Sequence, residues 1–163
     1  MQSAKIDFLS KYNKLVNSAF TSAGEFPDNL CDFLVSEYEF TAVVMSQKTG
    51  KSDFTIFGKS SNSRKSFAND SVVSCSYCSH IDGNSTDTKF EIKKDCQFTV
   101  SDVVMHEGCL HISISENEKV VLKIAAKNGF NQNEIDNIVV VGESLRNILK
   151  LWMRKRGSLN SPV

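Results

Sequence analysis

The sequence predicts an α+β domain in which an antiparallel sheet packs against helices from both ends of the chain. Two segments near the C-terminus alternate in polarity with a period of two, and a polar turn separates them, which is typical of a β-hairpin. A second hairpin follows the N-terminal helices. Helical spacing of apolar residues marks the first and last segments. This order favours helices segregated on one face of the sheet and an irregular middle covering the other.

Two helices are predicted at the N-terminus. The apolar residues at helical spacing in 4–20 are Ile6, Leu9, Tyr12, Val16, Ala19 and Phe20. Residues 21–24 break this helix. Pro27, which suits the first turn of a helix, opens the second. The apolar side of the second helix is formed by Leu30, Phe33, Leu34 and Tyr38.

The central strands are predicted from β-branched, apolar runs. Residues 40–47 read as a buried strand, 48–52 as a turn and 53–59 as the returning strand. Residues 60–69 and 80–88 are polar and are predicted as loops. Residues 97–104 (QFTVSDVV) indicate another strand. Periodicity does not decide whether residues 72–79 form a third strand or a short helical turn.

The C-terminal part is predicted as strand, turn, strand and long helix. Leu110, Ile112 and Ile114 alternate with polar residues, and the second strand covers 120–125. Asn131, with Glu134 three residues later, indicates a capped helix start. The helix then carries an apolar stripe of Ile135, Ile138, Gly142, Leu145, Leu149 and Trp152. Such a stripe either buries one side of the helix or pairs with a second copy. The helix is predicted to fade at Gly157-Ser158.

Size and composition indicate one cytoplasmic domain, residues 1–156, followed by a linker or tail, 157–163. The chain has 163 residues, of which 40% are hydrophobic and 23% charged. Nineteen basic residues balance nineteen acidic ones, so no nucleic-acid partner is expected. No segment has the apolar length of a membrane span, and no secretory signal is visible. Five cysteines, an odd number, favour reduced thiols inside a cell.

Cysteine and histidine cluster in sequence, which is the pattern most suggestive of chemistry. The candidate metal ligands are Cys75, Cys78, His80, Cys96, His106 and Cys109. Zinc or an iron–sulfur cluster uses such ligands. In a strand, however, Cys75 and Cys78 would point to opposite faces, whereas in a turn they could share an ion. A thiol redox sensor using these two cysteines and buried, inert thiols are the alternatives.

No arrangement for catalysis is recognisable, and the chain is predicted not to be an enzyme. A Cys/His hydrolase needs a base oriented by a third group, and nothing in the sequence orients His106 or His111. The paired acids fall in predicted loops or turns, and the eight glycines form no phosphate-binding loop.

Three segments together resemble the GAF domain, a small-molecule sensing and dimerisation module of signalling proteins. They are residues 30–60, a helix followed by a hairpin, residues 98–104 (FTVSDVV), and residues 110–149, a hairpin, a Phe-containing loop and a final helix. The resemblance covers roughly Asp28 to Trp152. It implies a six-stranded antiparallel sheet with the terminal helices on its back and a ligand pocket on its front.

The resemblance also implies a function. The chain is expected to be a non-catalytic ligand-sensing domain of a histidine kinase, chemoreceptor or cyclic-dinucleotide enzyme, and thus part of a two-component or related system. It is also expected to form a homodimer through its terminal helices and to signal to an output domain. The alternative is a metal, iron–sulfur or thiol redox sensor. Neither the ligand nor any cofactor is identified by a motif. The pocket residues are predicted to be Phe57, Tyr77, Val103, His111 and Ser113.

Overall fold

The computed structural model describes residues 2–22, 24–38, 40–49, 53–63, 72–74, 88–93, 106–115 and 118–160. The helices are α1 (Gln2–Thr21), α2 (Phe26–Tyr38) and α3 (Gln132–Asn160), and a 3₁₀ turn spans Ser61–Ser63. The strands are β1 (Ala42–Lys48), β2 (Asp53–Lys59), β3 (Val72–Ser74), β4 (Lys89–Lys93), β5 (His106–Ser113) and β6 (Lys119–Ala126). The predicted α+β class is confirmed.

The strands form one antiparallel sheet in the order β3-β2-β1-β6-β5-β4. Five of them have five to eight residues, and the edge strand β3 has three. The two hairpins predicted from the sequence, β1–β2 and β5–β6, lie side by side because β1 pairs with β6. This central pairing runs from Ala42 opposite Ala125 to Gln47 opposite Val120.

The helices cover one face of this sheet and enclose the main core. Helix α2 lies against β1 and β2, α3 lies against β4 and β5, and α1 packs on α2 and also touches α3. Met45, Leu110 and Leu122 extend from the sheet into this core. The helices contribute Phe26, Leu30 and Phe33 from α2 and Leu145, Leu149 and Trp152 from α3. The predicted packing of terminal helices on one face is therefore correct.

The apolar stripe of α3 is used inside the domain. Ile138, Leu145, Leu149 and Trp152 are buried in the main core. At Gly142, an added Cβ would lie 2.8 Å from Thr88 Cγ2 and 3.1 Å from Leu110 Cδ2, so the glycine lets the helix approach the sheet. Of the two uses predicted for the stripe, burial of one side of the helix is the correct one. The stripe is not available as a seam for a second copy.

The start of α3 agrees with the predicted cap, whereas its end does not. Asn131 Oδ1 accepts a 2.8 Å hydrogen bond from the Glu134 backbone N–H. The Glu134 carboxylate accepts a 2.6 Å bond from the Asn131 side-chain amide and not from the backbone. The helix continues to Asn160, so the predicted end at Gly157 was wrong. A single glycine costs a helix only about 1 kcal/mol, which does not end one on its own.

Two strand boundaries also differ from the prediction. Strand β5 begins at His106, three residues before the predicted start at Cys109. Strand β4 was not predicted, because its alternation covers only five residues of a polar segment and Ile92 remains exposed. Residues 72–74 are a strand, whereas the strand predicted at 97–104 lies outside the described residues.

Within the described ranges, no helix combines the length and hydrophobicity that crossing a membrane requires.

Candidate ligand-binding face

The side of the sheet away from α2 and α3, here called the front face, carries its own small apolar cluster. Phe54, Cys109 and Val121 form this cluster, which is separate from the main core. Strand alternation and the pairing register then assign the other front-face positions. They include Val44, Ser46, Ile56, Lys59, Glu107, His111, Ser113 and Lys123.

Most of the buried polar side chains of the described residues lie on the front face. Ser46, Lys59, Glu107, His111, Ser113 and Lys123 are all buried there. A sheet face that only packs against a core is expected to be apolar, because burying a polar group is costly unless a partner compensates it. The composition of this face therefore differs from that of a simple packing surface.

Two lysines flank one valine at the centre of the front face. Val44 is opposite Lys59 on one side and opposite Lys123 on the other. Directly opposed residues point to the same face of a sheet, so both lysine side chains project to the front. Lys59 is only 5% exposed and Lys123 only 2% exposed. The Lys59 backbone N–H also donates a 2.9 Å hydrogen bond to Asp28 Oδ1 in the first turn of α2.

On the front face, Lys123 forms an ion pair with Glu107. Lys123 Nζ lies 3.8 Å from Glu107 Oε2, and both side chains are buried. Charge-assisted hydrogen bonds between nitrogen and oxygen are typically about 2.7–2.9 Å long. The pair is therefore a close electrostatic contact that is longer than a direct hydrogen bond.

Two of the predicted pocket residues, His111 and Ser113, do lie on the front face. His111 is opposite Val121, which in turn is opposite Ser46. The Ser46 hydroxyl donates a 3.4 Å bond to the Val121 carbonyl, and the Ser113 hydroxyl donates a 3.3 Å bond to the Ser115 carbonyl. These contacts hold the two hydroxyls close to the sheet backbone.

Phe57 does not belong to this face, so its prediction as a pocket residue was wrong. Its ring stacks on the Trp152 ring of α3, with centroids 5.6 Å apart and planes 16° apart. The register shifts between Met45 and Ser46, whose partners are Gly58 and Ile56, and Phe57 lies between these partners. The remaining predicted pocket residues, Tyr77 and Val103, lie outside the described residues.

The structure does not bring the described metal-ligand candidates together. His106 and Cys109 are three positions apart on β5, so their side chains project from opposite faces of the strand. His106 is exposed beside Gly129, whereas Cys109 is buried on the front face. Cys75, Cys78, His80 and Cys96 lie outside the described residues. Among the residues that are described, no group of three His, Cys, Asp or Glu is arranged to hold a metal ion.

An open groove of ≈ 320 Å³ lies on the other side of the domain, between α1 and α2. Lys11 and Glu37, two of its lining residues, form a 2.9 Å ion pair. Burial and the neighbouring Glu37 carboxylate raise the pKa of Tyr38, the last residue of α2, above its ordinary value of 10.0. The groove is lined by charged and polar side chains from the two helices together with Leu15 and Phe33, and its lining includes no front-face residue.

The buried front-face residues Lys59, Glu107 and Lys123 were not singled out in the sequence. A signal was available for Lys123, because it interrupts an apolar strand, KVVLKIAA, at a position whose neighbours are all buried. For Lys59 and Glu107 the sequence carries no comparable signal, because both lie near strand ends, where charged residues are common.

Comparison with known proteins identifies the fold. No family model matches the sequence, and no curated protein is similar to it. Among solved structures, the crystal structure of the A. aeolicus nlh2 GAF domain in an inactive state superposes with a TM-score of 0.63. The match covers 93% of this chain and 98% of that chain at 12% sequence identity. The fold is GAF-like. The resemblance seen in the sequence is thereby confirmed, and at this identity the similarity concerns the fold alone.

Proposed function

We propose that this GAF-like domain is a non-catalytic sensor that binds a small molecule on the front face of its sheet. The observation that carries the proposal is the set of buried polar side chains on that face, within a fold similar to that of a GAF domain. Small-molecule sites typically combine an apolar lining with a few placed polar groups. Here Phe54 and Val121 supply apolar surface beside His111 and Lys123.

The signal is proposed to reach α3 through β4. Lys89, the first residue of β4, is opposite His111 on the front face. The preceding residue, Thr88, is buried and accepts a 3.0 Å hydrogen bond from Arg146 of α3. A ligand that favours one position of β4 would therefore favour one position of α3, which is a population shift between two states.

The domain is also proposed to dimerise through its terminal helices, by a surface other than the α3 stripe. The large apolar side chains exposed on these helices are Leu9 (52%), Phe20 (47%), Val140 (61%) and Leu151 (49%). The two residues on each helix are eleven positions apart, which is about three turns, so each pair lies along one side of its helix. Pairing these outer surfaces would leave the sheet contacts of α3 intact.

The biological setting proposed is that of a sensory module in a cytoplasmic signalling protein, such as a histidine kinase, a chemoreceptor or a cyclic-dinucleotide enzyme. Residues 1–156 would form the sensory domain, and residues 157–163 would act as the linker toward an output domain. In this role α3 is the element that carries the response, because it touches both β4 and β5 and extends to Asn160.

The test is to identify a compound bound to the natively purified protein. Native mass spectrometry, followed by mass spectrometry of the denatured sample, should reveal a stoichiometric small molecule. Adding that molecule to protein from which it has been removed should slow hydrogen exchange in α3 and β4. The proposal fails if no compound co-purifies and a metabolite panel leaves both the melting temperature and the exchange of α3 unchanged.

A further inference from the structure

Charge is distributed unevenly along α3. Residues 132–145 include three acidic residues and no basic one, whereas residues 146–160 include five basic residues and no acidic one. The helix dipole favours this order of signs, but its effect falls off within the first and last turn. Glu143 and Lys150 each lie about three turns from the nearer end of the helix. The dipole therefore does not account for the charges at these two positions.

The outer side of α3 also carries exposed apolar surface. Among the described side chains of this helix, the large apolar ones that are exposed are Val140 and Leu151. At 3.6 residues per turn they project in directions only about 20° apart. The buried stripe that includes Leu145 and Leu149 projects from the opposite side of the helix. Val140 and Leu151 therefore define a line along α3 that faces away from the sheet.

Four charged residues lie along one flank of this line. Asp136, Glu143 and Arg154 are exposed, and Lys150 is half-buried. All four project between about 40° and 80° to the same side of Val140. Because the two acidic residues come first and the two basic residues follow, this flank changes sign near the middle of the helix.

A second copy of α3 can cover Val140 and Leu151 in two orientations, and the charges distinguish them. In a parallel pair, the acidic half of each helix lies beside the acidic half of the other, and the basic halves also meet. In an antiparallel pair with its two-fold axis between positions 145 and 146, Val140 packs on Leu151 of the second copy. Each acidic half then lies beside a basic half.

We propose that α3 pairs with α3 of a second copy of the chain in the antiparallel orientation. The inference rests on the dimer proposed above and adds the direction in which the two copies meet. A two-fold axis of this kind places each flank against the same flank of the other copy. Glu143 is then level with Lys150 of the second copy, and Asp136 with Arg154. Opposite charges across an interface favour the orientation that pairs them.

The antiparallel orientation determines where the chain leaves the dimer. Helix α3 ends at Asn160 in each copy. With the axis between positions 145 and 146, the two ends lie roughly 40 Å apart along the helix pair. The linkers then depart in opposite directions, and the proposed output domains stand at opposite ends of the dimer.

Disulfide trapping reports the orientation. Val140→Cys and Leu151→Cys are prepared as separate variants and oxidised alone and as an equimolar mixture. In the antiparallel pair, only the mixture should be linked between positions 140 and 151. Position 140 lies roughly 16 Å along the axis from its own copy, beyond the ~7 Å between Cα atoms that a disulfide can bridge. Peptide mapping by mass spectrometry identifies the linked positions and recognises bonds to the five cysteines of the chain.

Exchange of two charges tests the contact between the flanks. Glu143→Lys and Lys150→Glu each place like charges side by side, and each should weaken the dimer by roughly 10-fold at low ionic strength. The double variant should restore the affinity to within about threefold. Positions 143 and 150 are not neighbours within one helix, so this recovery reports a contact between copies. Lys127→Glu, at an exposed turn after β6, is the matched control and should dimerise like the unchanged protein.

The possible outcomes separate the orientation from the dimer itself. Links between positions 140 and 151 of different copies, with recovery in the double variant, would support the inference. Links of position 140 to 140 and of 151 to 151 would overturn the orientation and leave the dimer standing. A dimer without these links, unaffected by the charge changes, would also overturn it and place the interface elsewhere. A chain that stays monomeric in sedimentation equilibrium at every concentration would overturn both, whereas the ligand-binding proposal would be unaffected.

Discussion

Arg146 Nη2 donates a 3.0 Å hydrogen bond to the Thr88 hydroxyl, and this bond ties the C-terminal helix to the residue that precedes β4. The two residues are 58 positions apart in the sequence. Thr88 is buried, and its methyl group packs close to Gly142 one turn earlier on the same helix. One side chain therefore makes a polar and an apolar contact with α3 at the edge of the sheet.

Thr88→Val tests the polar half of this contact. Valine keeps the methyl group near Gly142 and removes the hydroxyl, so Arg146 loses a charge-assisted acceptor. We expect a loss of about 1–2 kcal/mol in the free energy of unfolding, measured by urea denaturation. Hydrogen exchange around residue 146 should also become faster. Thr88→Ser, which keeps the hydroxyl, is the control, and equal stabilities of the valine and serine variants would contradict the interpretation.

Gly142→Ala tests how closely α3 approaches the sheet. Alanine favours a helix over glycine by about 1 kcal/mol, but its Cβ would lie 2.8 Å from Thr88 Cγ2. Overpacking typically costs about 1–3 kcal/mol, so the net effect should be a destabilisation of up to about 2 kcal/mol. The measurement is the urea midpoint, compared with Ser144→Ala on the exposed side of the helix. If the Gly142→Ala variant were more stable than the original protein, α3 could move away from the sheet at no cost, and the prediction would be wrong.

Local sequence patterns predicted the elements that are long and strongly periodic. Hairpins β1–β2 and β5–β6 and all three helices were recognisable because their own residues alternate or repeat at helical spacing. Strand β4 was missed because it pairs only with β5 and exposes Ile92, so few of its residues carry a burial signal. The end of α3 was missed because helix propensity at one glycine is weak compared with the preceding turns.

The candidate site was predicted only in part, for a different physical reason. The predicted position of His111, on the face of β5 opposite Leu110 and Ile112, agrees with the structure because alternation in a strand is a local property. The Lys59–Val44–Lys123 row depends on how β1 pairs with two different strands, and no local pattern contains that information. Phe57 was misassigned because an aromatic residue can face either a pocket or a core, and its stacking on Trp152 is a long-range contact.

Asn131→Ala tests the cap of α3. The Asn131 side chain satisfies the Glu134 backbone N–H, which would otherwise lack a partner within the first turn of the helix. Loss of this cap should destabilise the domain by about 1 kcal/mol. Chemical denaturation measures the change, and Asn133→Ala, inside the first turn, is the control that should be neutral or slightly stabilising. If Asn131→Ala lowered the free energy of unfolding no more than Asn133→Ala does, a capping role for Asn131 would be excluded.

Tyr38 should make stability fall at high pH. Burial, together with the neighbouring Glu37 carboxylate, raises the pKa of Tyr38 in the folded protein above 10.0. Above pH 10 the unfolded chain therefore loses the phenol proton more readily than the folded protein does, and ionisation favours unfolding. The contribution of the protonated Tyr38 phenol to the free energy of unfolding is fully present below pH 10. It is lost as the pH rises through the pKa of Tyr38 in the folded protein.

The comparison of urea midpoints at pH 8 and about pH 11 tests this linkage. Tyr38→Phe should lose less stability over that interval than the unchanged protein, because phenylalanine does not ionise. Tyr12→Phe is a matched control on α1, and it reports the general effect of removing a phenol. Identical losses in the Tyr38 variant and the unchanged protein would exclude this residue as a source of the alkaline instability.

Substitution of the exposed apolar residues of α3 tests the proposed dimer. Val140 and Leu151 are 61% and 49% exposed, so the double change to glutamate places no charge in the core. If the terminal helices pair in solution, the variant should be monomeric under conditions in which the original protein is dimeric, with an unchanged urea midpoint at low concentration. Sedimentation equilibrium measures the assembly state across a concentration series. Lys127→Glu changes charge away from the helices and should leave the dimer intact. A dimer that persists in the double variant would place the interface elsewhere, because two like charges from each copy would face each other across the proposed surface.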